Sequence, residues 1–339
     1  MATDHAMHTV NPVTTRIAPI KFRPLLKERI WGGKRIVPFK DIDAPLAEYG
    51  ESWEISGLKG DETVVSEGPY AGLRTSQLID RLKWRLVGRG NYQRHGNRFP
   101  MLIKFIDADK DLSIQVHPDD AMAHKYGFPN GKNEMWYVVD VAPGAHIISG
   151  FSSQITPEEY EASVADDTIM TLFKDHDVKA GDCFFIPAGR VHSIGAGSFV
   201  IEIQQACDIT YRIYDFNRRD ANGNKRELHT ELAKEAIKYD VRRNYLTDYS
   251  DERNKRIILV EKSPFTTSLY NLDKPITIDY SRSNHFEVYI AFRGDAEIAD
   301  DGGNVVSLRA GESLLIPAET SFIKVYPGHE GLGFLEAHT

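Results

Sequence analysis

The chain has 339 residues, 41% of them hydrophobic and 27% charged, and a formal net charge of -8 at pH 7. That length favours two domains or one core with additions, and the acidic balance argues against a general nucleic-acid or anionic-membrane binder. No apolar run approaches the roughly 18 residues of a bilayer span. The two cysteines, Cys183 and Cys207, form no Cys-x-x-Cys pair, so both are expected to be buried thiols in a reducing cytoplasm.

Residues 1–16 are polar, lack the basic-then-apolar pattern of a signal peptide, and are expected to be a flexible extension. Residues 17–24 predict an extended lead-in. Leu26 to Gly33 predicts a short strand or turn ending in a flexible pair of glycines. Gly50 to Ser56 alternates with period two, which predicts a strand with Trp53 and Ile55 on one face and Glu54 on the other. Leu78, Ile79, Leu82, Leu86 and Val87 recur at helical spacing before Gly88, so one amphipathic helix is expected over 75–87. Phe99 to Ile106 is β-like again, and Lys104 within it belongs either to an edge strand or to a residue aimed into a cavity.

The stretch Leu112-Ser113-Ile114-Gln115-Val116-His117-Pro118 places Gln115 and His117 two residues apart between apolar neighbours. In a strand both point to one face, with Leu112, Ile114 and Val116 on the other. An imidazole and an amide oxygen can supply half of a tetrahedral divalent-cation site, and Glu134 and His192, each beside an apolar β-rich run, are the candidates for the rest. Any one of these residues alone is more often a hydrogen-bonded or solvated side chain; the set of four in β context carries the metal reading. Lys132 shares a face with Glu134 if the chain is extended there.

Thr156-Pro157-Glu158-Glu159 reads as an N-cap, a Pro at the first helical position and a capping-box Glu. Phe199 to Gln205 is a strand carrying Glu202 and Gln204. In the extended run that follows, Asp208, Thr210 and Arg212 lie on one face, so a carboxylate and a guanidinium flank the same spot; a plain ion pair between them would be worth little. Thr230 is expected to cap a helix to Ile237. The charged stretch after Asp240 is the expected joint between a catalytic domain over 17–240 and a second domain over 241–339.

The second half repeats part of the first. Lys179-Ala180-Gly181-Asp182-Cys183-Phe184-Phe185-Ile186-Pro187-Ala188 matches Arg309-Ala310-Gly311-Glu312-Ser313-Leu314-Leu315-Ile316-Pro317-Ala318, and Glu134 to Val139 has a counterpart in Glu287 to Phe292. Five residues past the Pro, the first copy has His192 and the second Phe322. The pattern predicts a mainly β chain of two cupin (jelly-roll) barrels with short helical additions, the first keeping a polar site and the second without metal.

Four segments, Ser113 to Pro118, Gly131 to Tyr137, Pro187 to His192 and Tyr211 to Asp215, together resemble the class I mannose-6-phosphate isomerases, particularly their short bacterial form. The resemblance implies a zinc enzyme, with one zinc per chain, that interconverts mannose 6-phosphate and fructose 6-phosphate through a cis-enediol. It matches Gln115, His117, Glu134 and His192 to the zinc ligands, Arg212 to the active-site arginine, and Asp208 and Lys132 to neighbouring proton-handling candidates. Lys104 and Ser113 match phosphate or substrate contacts. The chain lacks the large helical insertion of longer members, and Asn133 stands where the pattern has Pro. The expected partner is a small sugar phosphate, with no nucleic acid and no membrane, and the chain a monomer or small homo-oligomer. The competing readings are a sugar-phosphate-binding cupin without catalysis, an isomerase of another sugar phosphate, and an iron-dependent cupin oxygenase; the last is weakened because Gln115-x-His117 replaces its usual His-x-His.

Overall fold

The runs of alternating and β-branched residues form strands, and these assemble into three antiparallel sheets in the computed structural model, which describes residues 16–220 and 222–339. The extension expected over 1–16 lies, Arg16 apart, outside the described residues. A seven-stranded sheet is ordered Cys183–Ile186, Glu134–Val141, Ser198–Gln205, Met101–Asp107, Tyr49–Leu58 and Leu25–Gly33, with Asp61–Glu62 on Tyr49–Leu58. A five-stranded sheet runs Phe173–Asp177, His146–Phe151, His192–Ile194, Ile114–Val116 and Tyr211–Tyr214. The third, of nine strands, is built mostly from the C-terminal part around Glu287–Asp300 and Phe322–His338, and it also recruits the lead-in strand Ile20–Arg23, which pairs Ile20 with Leu315.

The seven-stranded and nine-stranded sheets share one core. Ile103, Phe105, Ile201 and Ile203 from the former cluster with Val288, Ile290, Leu335 and Ala337 from the latter, all fully or almost fully buried. Met101–Asp107 is buried along its whole length between two neighbouring strands, so Lys104 is not an edge residue; its side chain enters the space between the seven- and five-stranded sheets. The sequence repeat is a repeat of register. Glu134 pairs with Ile186 as Glu287 pairs with Ile316, and the Gly181 and Gly311 amides donate to the equivalent carbonyls of Val138 and Ala291, both at 2.8 Å.

Four local expectations are revised by the structure, three of them by packing. Trp53 opposes Lys104 but Ile55 opposes Ile103, because the register shifts by one residue between them. The bulge sends Trp53 over the Lys104 ammonium, 5.3 Å from the ring centre, and Ile55 into the shared core, so the two do not share a face. The helix expected over 75–87 is broken at Lys83 (φ 54) into Thr75–Leu82 and Trp84–Val87, and a third short helix, Arg89–His95, follows Gly88. All five apolar residues of the original spacing are nevertheless buried in one cluster. The glycines at 32 and 33 end a strand and serve close packing rather than flexibility: a Cβ on Gly33 would sit 2.2 Å from the Asp107 carboxylate that holds Arg35. The Thr156/Glu159 capping box opens Pro157–Ala165 as expected, whereas Thr230–Ala236 is preceded by His229 as its N-cap, with Thr230 already inside.

Candidate active site

The five-stranded sheet sets one polar row. His192 pairs with Gln115 on one side of strand Ile114–Val116, and Arg212 pairs with Gln115 on the other. Directly opposed residues of antiparallel strands face the same way, so these three side chains share one surface. The facing sheet supplies a second row by the same rule: Gln204 opposes Glu134, and Glu202 lies between Trp136 and Lys104. His117 and Lys132, each just outside its strand, close the end of the gap between the sheets.

The two histidines are aimed by their backbone surroundings. Nδ1 of His117 lies 2.8 Å from the Ile209 carbonyl, and Nδ1 of His192 lies 2.8 Å from the Arg190 carbonyl. A carbonyl only accepts, so each Nδ1 carries the proton and each Nε2 presents a lone pair. The Nε2 atoms are 3.1 Å apart, and Glu134 Oε2 and Oε1 lie 3.4 Å and 3.2 Å from those of His117 and His192 respectively. Ligands bound at about 2.1 Å in a tetrahedron are separated by roughly 3.4 Å, so this spacing fits a borderline divalent cation. Both Glu134 oxygens are buried without an aligned hydrogen bond, although Lys132 Nζ is 2.9 Å from Oε2. Gln115 brings its amide 3.4 Å from His192 Nε2. Its oxygen and nitrogen are interchangeable by a half-turn of the amide plane, which would make it the fourth donor.

Charge in this pocket is arranged for a neutral imidazole pair beside a carboxylate. Burial, reinforced by Lys132, lowers His117 to about 4, and burial lowers His192 as well. Burial would raise Glu134, but Lys132 and the two histidines hold it well below the usual carboxylate range. Burial alone would lower Lys132, yet Glu134 and Glu202 raise it, so it is a cation. It also lies 3.1 Å from His117 Nε2.

A cavity of about 490 Å³ opens from this centre and is lined by Lys104, Ser113, Gln115, Lys132, Asp208, Thr210 and Arg212. The face predicted for Asp208, Thr210 and Arg212 therefore meets the cavity. Asp208 is exposed and forms no ion pair among the described residues, with Arg212 or otherwise. Arg212 donates from Nε to Ser113 Oγ at 3.3 Å and from Nη1 to the Glu227 carbonyl at 2.9 Å, which fixes its plane. Lys104 is held by Glu202 at 2.8 Å, and Glu202 also accepts from Trp136 Nε1 at 3.0 Å. Asn133 uses both its backbone N–H and its side-chain N–H on Gln205 Oε1 and accepts from the Ala188 amide, a set of bonds that Pro could not make.

Glu202, Glu51, Arg29, Arg226 and His229 also line the cavity and were not singled out from sequence. Glu202 carried a usable signal, since it shares strand parity with Gln204 in a run otherwise apolar. The others come from distant loops and strands whose approach no local pattern encodes.

The family model for phosphomannose isomerase type I, catalytic domain, matches residues 20–143. The chain is 34% identical over 303 residues to mannose-6-phosphate isomerase ManA of Bacillus subtilis, covering 88% of this chain and 93% of that protein. It is 32% identical over 299 residues to the mannose-6-phosphate isomerase of Streptococcus mutans, covering 88% and 92%. The crystal structure of the mannose 6-phosphate isomerase from Bacillus subtilis superposes with a TM-score of 0.85 at 27% identity, over 95% of this chain and 100% of that one. With its sheets, its converging His117, Glu134 and His192 and this extent of similarity, the chain belongs to the type I phosphomannose isomerase family.

Proposed function

We propose that the protein is a zinc-dependent aldose-ketose isomerase that interconverts mannose 6-phosphate and fructose 6-phosphate through a cis-enediol. The observation that carries this is the convergence of His117, Glu134 and His192 at ligand spacing directly behind Gln115 and Lys132, which line a cavity that also receives Asp208 and Arg212. A binding protein without catalysis would have no need of those last three around the same space. We further assign two cupin barrels, divided near residue 240, with the reaction in the first, and place the protein in the cytoplasm as a monomer or small homo-oligomer.

Isomerisation requires a weakly acidic proton to leave carbon while negative charge grows on oxygen, so a base, a charge stabiliser and a phosphate grip are needed. Held by His117, Glu134, His192 and Gln115, zinc would supply Lewis-acid polarisation of a substrate oxygen. Arg212 cannot be the base, because a guanidinium stays protonated; its fixed plane suits it to hold the developing enediolate. Lys132 is a buried cation and acts as a donor to the sugar oxygens rather than as a base. Asp208, a carboxylate at the cavity wall without an ion-pair partner, is then the group that accepts and returns the proton. Lys104 and Ser113 offer donors to the phosphate or a sugar hydroxyl, Lys104 from its bond to Glu202 on the floor.

Two variants separate the roles. His192→Ala should lose bound metal and turnover together. Arg212→Ala should keep the metal and lose about 10²–10³ in kcat, the usual cost of one charge-stabilising donor. Full activity in Arg212→Ala, or metal retained in His192→Ala, would contradict the assignment.

A further inference from the structure

The C-terminal sheet holds a second group of ligand-type side chains that the isomerase reading does not use. His285 Nδ1 lies 3.1 Å and His338 Nδ1 3.2 Å from the same atom, Glu287 Oε1. The two imidazole rings are 3.9 Å apart between centres and inclined at 72°. Among the described residues, this trio and the His117, Glu134, His192 trio are the two sets of His, Cys, Asp or Glu whose ligand atoms lie within 4.8 Å of one another.

The strand register explains how the group arises. Glu287 is the repeat counterpart of Glu134, and His285 stands two residues before it as Lys132 does before Glu134. In the first copy Glu202 opposes Trp136 and Gln204 opposes Glu134; in the second Glu336 opposes Tyr289 and Ala337 opposes Val288. One step along, His338 stands where Gln204 stands. The expectation of a metal-less second domain rested on Phe322 in the place of His192, but the second copy draws its imidazoles from the positions of Lys132 and Gln204 instead.

The group is only partly satisfied as it stands: both imidazoles meet Glu287 Oε1, and His285 Nδ1 also lies 3.3 Å from the Phe286 carbonyl. Glu287 is 3% exposed, and its Oε2 is buried with no hydrogen-bond partner. A second carboxylate, Glu336, is buried on the same face, and the cation on this pair is Arg256, whose Nε is 3.0 Å from Glu336 Oε2. Both histidines converge on one Glu287 oxygen and leave the other bare. A buried carboxyl oxygen without a donor is costly, and a cation held between the two imidazole nitrogens and this carboxyl group would satisfy it.

We propose that His285, Glu287 and His338 form a second divalent-cation site, distinct from the catalytic one and of the zinc class. Two imidazole nitrogens and one carboxylate favour zinc or its borderline neighbours over magnesium or calcium, which prefer all-oxygen shells. Water completes the coordination, since both histidines are partly exposed. The ion would tie His338, at the end of strand Phe322–His338, to the start of strand Glu287–Asp300.

The test is a zinc count on the full-length chain, stripped by chelator, dialysed against zinc and measured by elemental analysis, for the wild type and for His285→Ala, His338→Ala and His192→Ala. His285→Ala and His338→Ala should each bind one equivalent fewer than the wild type, with circular dichroism and isomerase turnover unchanged. His192→Ala should lose a different equivalent, so that His192→Ala/His285→Ala binds two fewer. The difference at His285 is readable even if the isomerase reading fails, because it does not depend on turnover. An unchanged count in folded His285→Ala would overturn the proposal and leave the two histidines as hydrogen-bond donors to Glu287.

Discussion

In the proposed mechanism Asp208 is the residue that moves the proton. Among the acidic residues lining the cavity, Glu202 is committed to Lys104 and Glu51 to Arg29, whereas Asp208, like Glu28, has no ion-pair partner among the described residues, and Asp208 shares its face of the extended run with Arg212. Asp208→Asn keeps the shape and removes the acceptor. It should lower kcat by about 10²–10⁴, the usual contribution of a positioned base, while leaving the zinc content unchanged. Proton exchange between substrate and deuterated solvent, followed by NMR, should slow in parallel; exchange at the wild-type rate would assign the base elsewhere. The cysteines give a second prediction at this scale. Burial pushes the Cys183 thiol up to about 12 and raises Cys207, and both side chains are enclosed. Because the thiolate is the reactive form, neither should be alkylated by iodoacetamide at pH 8 in the native protein, and both should be labelled once it is unfolded.

At the scale of the element, the sequence disclosed strands and their polar rows well and disclosed interruptions poorly. The Thr156/Glu159 capping box is local chemistry, and it forms as written. Thr156→Ala should destabilise the chain by about 1 kcal/mol, measured by chemical denaturation, with no change in turnover. Gln115 and His117 were legible because a period of two is enough to place both on one side, and Glu134 because an acid heading an apolar run is conspicuous. The bulge between Trp53 and Ile55 was not legible: one extra residue reverses the faces beyond it, and its cause is the partner strand, which lies almost fifty residues on in the chain. The break at Lys83 was hidden for a similar reason. Gly88 backs directly onto the Asn284 carbonyl of the C-terminal part, so the short helices are fitted to a distant neighbour that helical periodicity cannot report. Of the cavity lining, Lys104, Ser113, Gln115, Lys132, Asp208 and Arg212 were named from local pattern, whereas Glu51 and Glu202 on the facing sheet, and Arg29, Arg226 and His229, were not.

Across the whole molecule, the cavity lies between two sheets. One of its walls, Met101–Asp107 with Ser198–Gln205, turns its other face to the core shared with the C-terminal sheet, so that Lys104 and Glu202 face the substrate space while Ile103, Phe105, Ile201 and Ile203 anchor them. The lead-in strand Ile20–Arg23, hydrogen-bonded to Ser313–Ile316, joins the start of the described chain to its C-terminal sheet. The placement of His117, Glu134 and His192 therefore depends on packing against the C-terminal sheet as well as on their own strands. A metal-stripped protein should stay folded and recover when metal returns. The most direct test of this account is a coupled assay on mannose 6-phosphate and on fructose 6-phosphate, with the protein as isolated, after chelation, and after zinc is restored. The account predicts isomerisation in both directions that vanishes with the chelator and returns with zinc; a folded, zinc-loaded protein that turns over neither sugar would contradict it.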